Sequence, residues 1–277
     1  MWRGILAKAP EARGMTEQAQ GYPPADPLPA GQGISRVAVV MPAHNEDQHI
    51  GRALASLRAA ADALQRERPD VRATVTVVLD SCTDRTAEIT AAYVLADARF
   101  AAVDVRLRST GSSRAAGVRA ALAPADPEAS RTWLANTDAD SAVPEHWLLH
   151  QVELADAGAD AVLGSVEPDP AGMDPMILRR WLERHPFLED HPHIYGANFG
   201  VRASAYFAAG GFPRLHVHED RALVERLRRR AFAVVATDTI RVLTSGRTHA
   251  RAPQGFAAYL RSLGRELPAA AGLQPPG

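Results

Sequence analysis

Between residues 37 and 136 the chain alternates short β-rich apolar runs with helix-like stretches, and this order restricts its fold more than any other feature. Val37-Ala-Val-Val-Met41 leads into an Ala-rich stretch from Ile50 to Arg66 whose apolar spacing suits a helix. Val75-Thr-Val-Val-Leu79 precedes a turn and a helical stretch from Thr86 to Ala96. Val103-Asp-Val-Arg-Leu107 precedes another from Arg114 to Ala121, and Thr132 to Asn136 closes the series. A β-α-β-α order with strands apolar on both faces predicts an α/β fold: a parallel sheet covered by helices on each side. Ligands of such sheets bind beyond the carboxyl ends of the strands. Every polar cluster described below falls at such an end.

With 277 residues, 46% of them hydrophobic, the chain can bury the core of one α/β domain, or of a domain with a small appendage. Residues 1–34 carry Pro23, Pro24, Pro27 and Pro29 with Gly31 and Gly33 and show no periodicity, so a mobile tail is expected there. A flexible tail is likewise expected over residues 266–277, which leaves a single folded domain over 35–265. No internal repeat is present. Basic and acidic residues nearly balance, at a formal net charge of −1, which argues against nucleic acid or an anionic membrane as partner and for a small or local ligand. The lone Cys82 cannot form an internal disulfide, and no Cys/His spacing suits zinc, so a reducing, cytoplasmic setting is expected. Met1-Trp-Arg-Gly-Ile-Leu-Ala7 lacks a sustained apolar stretch, and no run approaches the length of a transmembrane segment.

Four polar clusters follow the apolar runs. Met41-Pro-Ala-His-Asn-Glu-Asp47 ends a strand at Pro42 and offers Asn45 as an N-cap; helix N-termini present free N–H groups to anions. The alternative is an ordinary capped turn. In Asp80-Ser-Cys-Thr-Asp-Arg-Thr86 several side chains can hydrogen-bond a base or ribose, although Asp84 or Thr83 could simply cap the next helix. In Gly111-Ser-Ser-Arg-Ala-Ala-Gly117, Arg114 could reach a phosphate or a base carbonyl while glycine permits close backbone approach. No Gly-x-x-x-x-Gly-Lys-Ser/Thr occurs, which disfavours a P-loop nucleotidase. Asp138-Ala-Asp140 places two carboxylates at the end of an apolar strand. Hard oxygen ligands of this kind suit a divalent cation carrying a diphosphate, the alternative being a polar loop after a buried strand.

In order and spacing, these segments resemble the family 2 glycosyltransferases, which have the GT-A fold and use a nucleotide-diphosphate sugar. Pro42-Ala-His-Asn-Glu46 looks like the family's opening Pro-x-x-Asn-Glu, and Asp80-Ser-Cys-Thr-Asp-Arg-Thr86 resembles its Asp-Gly-Ser-x-Asp-x-Thr. Ser113-Arg-Ala-Ala-Gly117 looks like Ala-Arg-Asn-x-Gly, and Asp138-Ala-Asp140 stands where the family's Asp-x-Asp lies. Farther on, Gly196-Ala-Asn-Phe-Gly-Val-Arg202, Gly210-Gly-Phe-Pro213 and His218-Glu-Asp220 resemble its acceptor-side half. The likeness runs from near Val37 to near Ala236.

The resemblance implies a Rossmann-like, mostly parallel central sheet flanked by helices, with a C-terminal acceptor-side subregion. It also implies metal-dependent sugar transfer, with inversion, to a hydroxyl on a small-molecule, lipid-linked or protein acceptor. Uridine is favoured over guanosine in the donor. Pro42, His44, Asn45, Glu46, Asp80, Arg114 and Asp138 are then donor-side residues. Asp140 would bind Mg²⁺ or Mn²⁺ across the two phosphates, with Asp138 holding the ribose or a metal-bound water. Asp220 becomes the general base, and Glu219 a second carboxylate that acts beside it, positions the acceptor or supports the loop. Read without the resemblance, a Glu-Asp pair opening a helix is favourable interaction with the helix dipole.

Departures qualify this reading. Leu79 stands where the family often has a first aspartate, leaving Asp80 to serve alone, and Ala115 replaces a frequent asparagine. Thr244-Ser-Gly-Arg-Thr-His-Ala-Arg251 contains no Gln-x-x-Arg-Trp, so a single-transfer, non-processive enzyme is expected. In that segment His249 could complete the metal shell, and Arg247 or Arg251 could meet the diphosphate. His185, His191 and His193 lack reliable zinc spacing, and a pH-sensitive or solvated loop is expected. Trp181 and Phe187 could stack on a sugar or serve only in packing. Two other classes stay open: a nucleotidyltransferase, whose usual glycine-rich N-terminal signature is absent, and a non-catalytic nucleotide-sugar-binding protein.

Overall fold

The computed structural model describes residues 7–8, 33–122, 126–215, 218–248 and 255–266. In chain order the strands and helices are β1 (Ala7–Lys8), β2 (Arg36–Ala43), α1 (Ile50–Glu67), β3 (Arg72–Asp80), α2 (Thr86–Ala96), β4 (Phe100–Val105), α3 (Thr110–Ala121) and β5 (Thr132–Asn136). There follow β6 (Ser141–Ala142), α4 (Trp147–Asp156), β7 (Ala161–Pro168), α5 (Pro175–Arg184), β8 (Phe199–Arg202), α6 (Ala203–Ala208), α7 (Glu219–Arg229), β9 (Val234–Thr244) and α8 (Phe256–Arg265).

The strands form one sheet in the order β1-β4-β3-β2-β5-β8-β7-β9-β6. From β1 to β5 every pairing is parallel, as the helical crossovers require. Beyond β5 the sheet changes character: β8 runs antiparallel to β5 and to β7, and β6 antiparallel to β9. The parallel expectation therefore holds for the first half of a mixed sheet. The two-residue β1 pairs with Val103 and Asp104 of β4 and lies inside the stretch expected as a tail.

Side chains alternate across the strands, and each face has its own cover. Ala38, Val40, Val78, Leu134 and Phe199 belong to a buried cluster with residues of α3, α6 and α7. On the opposite face Trp133 donates through Nε1 to Gln151 of α4 at 2.9 Å, and α4 packs on α1. Helix α3 lies close against the sheet. A Cβ on Gly117 would run into Val40 Cγ1 and stand 2.8 Å from Val78 Cγ2, so a residue without a side chain lets the helix lie down on β2 and β3.

From β2 the chain steps outward to β3 and β4, then returns to the other side of β2 as β5. That reversal opens a crevice at the carboxyl ends of β2 and β5, the usual ligand position in an open α/β sheet.

By contacts the chain divides into two compact units, one of residues 1–167 and 187–244, the other of residues 168–186 and 245–277. In the second unit, Trp181 of α5 is buried, stacks on His185 with ring centroids 4.4 Å apart and meets Phe256 of α8 edge-on at 6.3 Å. Trp181 is therefore a packing residue of this unit.

Candidate functional site

The loops after β2 and β3 are fastened to each other by side chains that reach backbone groups. Asn45 has a φ of 53°, a left-handed conformation that asparagine tolerates better than most residues. It does not cap α1, as expected from sequence; the helix begins after His49 without a side-chain cap. Instead, Asn45 Oδ1 accepts from the N–H of Thr83 at 2.7 Å and from its hydroxyl at 3.3 Å. The N–H of Glu46 donates to Thr86 Oγ1 at 2.7 Å, and that of Asp47 to Asp84 Oδ2 at 3.1 Å. Asp84 Oδ1 accepts from the N–H of Thr86 at 3.0 Å, so this carboxylate orders the start of α2 and holds the neighbouring loop. His44 is exposed and its Nδ1 lies 2.6 Å from the Asp80 carbonyl, which makes Nδ1 the donor. Pro42 is half-buried and Glu46 buried at the same strand end.

Asp80, at the tip of β3, is 5% exposed. Its Oδ1 accepts from the N–H of Leu107 at 2.8 Å and from Ser81 Oγ at 3.1 Å. Oδ2 accepts from Ser113 Oγ at 2.8 Å and from the N–H of Ser109 at 3.3 Å. Burial pushes the Asp80 carboxyl up, but hydrogen bonds from the Arg108 backbone, Ser113, Leu107 and Ser81 outweigh it and hold the group below its ordinary value. This capture also explains a boundary. The strand expected to reach Leu107 stops at Val105 because the next N–H groups turn towards Asp80, and α3 then begins at Thr110, capped by Ser109.

Arg114, on the first turns of α3, is 2% exposed. Its Nη1 is ion-paired with Glu219 Oε1, and its Nη2 with Asp138 Oδ1 at 2.6 Å. Burial alone would lower the guanidinium's pKa, yet the charges of Asp138, Glu219 and Asp220 hold it above the usual arginine value. Its Nε is buried without a hydrogen-bond partner among the described residues. The guanidinium carbon lies 6.0 Å from the Phe212 ring centroid, and a Cβ on Gly196 would stand 2.6 Å from that same carbon. Phe212 is presented by the Gly210-Gly211 turn, where φ values of 79° and 65° suit glycine.

The third motif, the first residue of Asp-x-Asp and the acceptor-side pair thus meet at one side chain. Glu219 is 4% exposed; burial raises its carboxyl pKa, Arg114 opposes that and Asp220 adds to it, with a net rise. Asp138 keeps 35% of its side-chain surface exposed, and Asp140 and Asp220 are half-buried. Asp220 Oδ1 accepts from the N–H of Arg221 at 2.7 Å in the first turn of α7. Among the described residues no three or more His, Cys, Asp or Glu side chains converge as a metal cage. Asp138 and Asp140 nonetheless fit a divalent cation that takes its other ligands from phosphates and water. They are hard oxygen donors, and the carboxylates of Asp138, Glu219 and Asp220 outnumber the one guanidinium paired with them.

His249 and Arg251 lie outside the described residues. In the histidine segment Pro186, Leu188 and Pro192 are exposed, as expected of a solvated loop, but His191 is 5% exposed, neither of its ring nitrogens is hydrogen-bonded among the described residues, and His193 stacks beside it at 5.9 Å. Phe187 carries the Arg241 guanidinium over its ring at 3.4 Å. Sequence reasoning gave no role to Asn198, which is fully buried. It donates to the carbonyls of Ser165 at 2.8 Å and Ile240 at 2.7 Å and accepts from Trp147 Nε1 at 2.8 Å.

Comparison with known proteins agrees with this layout. Residues 38–208, more than half of the chain, match the model of glycosyl transferase family 2. The chain belongs to that family, a class of transferases, and carries its GT-A fold. No curated protein matches its sequence. Among solved structures, residues 1–349 of TarS from S. aureus, crystallised with UDP-GlcNAc, superpose with a TM-score of 0.58 at 16% identity, over 80% of this chain and 61% of that one. The mannosyltransferase PcManGT from Pyrobaculum calidifontis, with GDP-Man and Mn²⁺, gives 0.57 at 20% identity, over 87% and 64%. GalNAc-T7 with UDP, GalNAc and Mn²⁺ gives 0.55 at 13%, over 76% and 44%. The chain thus spans about three-fifths of the first structure's length. Among the described residues no helix is long and apolar enough to cross a membrane.

Proposed function

We propose that this chain transfers a sugar from a nucleotide-diphosphate donor, a uridine one by preference, to a hydroxyl acceptor, with inversion and without processivity. The observation that supports the reading is the meeting of Asp138 and Glu219 on buried Arg114, with Asp220 next in the chain in the first turn of α7. The nucleotide sugars and Mn²⁺ held by TarS, PcManGT and GalNAc-T7 support the donor class and a divalent cation.

Asp140, with Asp138, would hold Mg²⁺ or Mn²⁺, which supplies Lewis-acid stabilisation of the leaving diphosphate when bound. His44, Asn45, Glu46 and the loop led by Asp80 border the place for the nucleoside. Asp220 takes the proton from the acceptor hydroxyl as its oxygen bonds to the anomeric carbon. The bond from that carbon to the diphosphate breaks, and the nucleoside diphosphate leaves with the electron pair. Attack from the face opposite the leaving group inverts the anomeric configuration. The lack of a Gln-x-x-Arg-Trp after β9 supports a single transfer.

The test is thermal stabilisation by UDP, GDP and their sugar conjugates, with and without Mn²⁺, followed by turnover with an acceptor panel. A manganese-dependent rise in Tm for one nucleotide, with release of that nucleoside diphosphate on turnover, is expected. Release of pyrophosphate would establish a nucleotidyltransferase instead, and donor binding without any turnover a sensor.

A further inference from the structure

Resting on the glycosyl-transfer reading, we infer that Arg114 is a positioning residue, a strut joining the donor-side carboxylate loop to the acceptor-side base, with Glu219 as its anchor instead of a second base. An arginine that binds a diphosphate presents its fork to the ligand. In Arg114 both arms of the fork are already engaged within the protein, one on Glu219 and the other on Asp138.

Its surroundings leave the guanidinium one position. The Gly196 backbone presses close to it, with no room for a Cβ, and the Phe212 ring lies 6.0 Å away. The helix that carries it is fixed in turn. Gly117 lets α3 settle on β2 and β3. A Cβ on Gly111 would stand 2.7 Å from the Pro213 carbonyl oxygen and 2.9 Å from Glu219 Cβ. Ser109 Oγ donates to the Leu215 carbonyl at 3.0 Å, closing the same seam. Displacement of the loop holding Asp138 is therefore transmitted through a rigid cation to Glu219, the residue before Asp220. Glu219 is nearly inaccessible and held by Arg114, which suits an anchor and not a group that meets an acceptor.

The experiment compares Gly196→Ala, which displaces the guanidinium without removing a charge, with the double variant Arg114→Met plus Glu219→Leu. The double change removes both members of the buried pair together, and the one carboxylate that loses its guanidinium, Asp138, is part-exposed to water. Each is measured for donor-induced, Mn²⁺-dependent thermal shift and for steady-state transfer, beside wild type. Expected is a fall in kcat on the order of 100-fold, as for small misplacements of reacting groups, with donor KM within about threefold and the donor shift kept. Glu219→Asp, which keeps the charge, is expected to lose less kcat than the double variant.

Wild-type kcat in a folded double variant would overturn the inference. So would a donor KM raised about tenfold with kcat kept, which would make Arg114 a donor contact. Wild-type protein that transfers no sugar from any donor retires the glycosyl-transfer reading itself, whereas transfer by wild type with unaffected variants retires the strut alone.

Discussion

The loops after β2 and β3 and the centre around Arg114 stand at the same edge of the sheet but are held by different physics. In the first, Asn45, Asp84 and Thr86 fasten one loop to the other through N–H donors of the backbone, and their polar atoms are used within the protein. In the second, one buried cation faces three carboxylates, and much of the negative charge stays near solvent on Asp138 and Asp220. A hydrogen-bonded latch fixes shape and is indifferent to ligand charge. An unbalanced ionic cluster invites a cation and a proton. Changes in the first region should therefore act on stability, and changes in the second on chemistry.

The largest effect is expected at the second. Asp220→Asn should lower transfer by about 10²–10⁴, the range of a general base, and leave the Mn²⁺-dependent donor shift unchanged. Rate and thermal shift on one preparation check this, and a lost shift would place Asp220 on the donor side. Asp140→Ala should abolish the Mn²⁺-dependent part of donor binding, seen as a Tm insensitive to added metal in the presence of donor. Full transfer activity in both variants would break the comparison at its ionic half.

Asp80 tests the boundary between the regions, since it is a charge used as a latch. Its folded pKa is depressed, so the stability it contributes is present above its ordinary value of 3.8 and is lost as pH falls through the folded value. Asp80→Asn should cost about 1.5–3 kcal/mol at neutral pH, as for hydrogen bonds to a charged group, and the gap to wild type should close in acid. Chemical denaturation at pH 7 and near pH 3 measures both. A gap that persists undiminished in acid would mean that packing, and not the ionised carboxylate, is what Asp80 supplies.

The two regions were not equally readable in the sequence. Strand β5 and helix α2 fall where periodicity places them, and the ordered motifs mark the carboxyl edge correctly because a β-α unit puts its loop there. The Arg114–Glu219 pair was hidden, since 105 residues separate its members and no local pattern reports so distant a contact. A signal did exist: Arg114 sits among Gly111, Ser113, Ala115 and Gly117, and so many small residues around one arginine mark a helix face pressed against other backbone. Asn45 misled for a different reason. Asparagine before a helix serves equally as cap or as left-handed turn residue, and only its tertiary partner Thr83 decides between them. His191 likewise looks solvated beside Pro192 until the fold buries it.

The smallest expected effect bears on the latch alone. Asn45→Ala removes the acceptor used by Thr83 and puts a Cβ-bearing residue without a polar group into a left-handed conformation. Together these should cost about 2 kcal/mol, roughly 1 for the hydrogen bond and 1 for the backbone. Asn45→Gly keeps the conformation and loses only the bond, so it should cost about half as much. Asn45→Asp keeps both the acceptor and a tolerance for that conformation, and should be nearly neutral. Thermal melts of the three variants in that order of severity would show that Asn45 acts as a fastener. Equal melts accompanied by weaker donor shifts would instead assign its amide to the nucleotide and move this loop into the chemical half of the comparison.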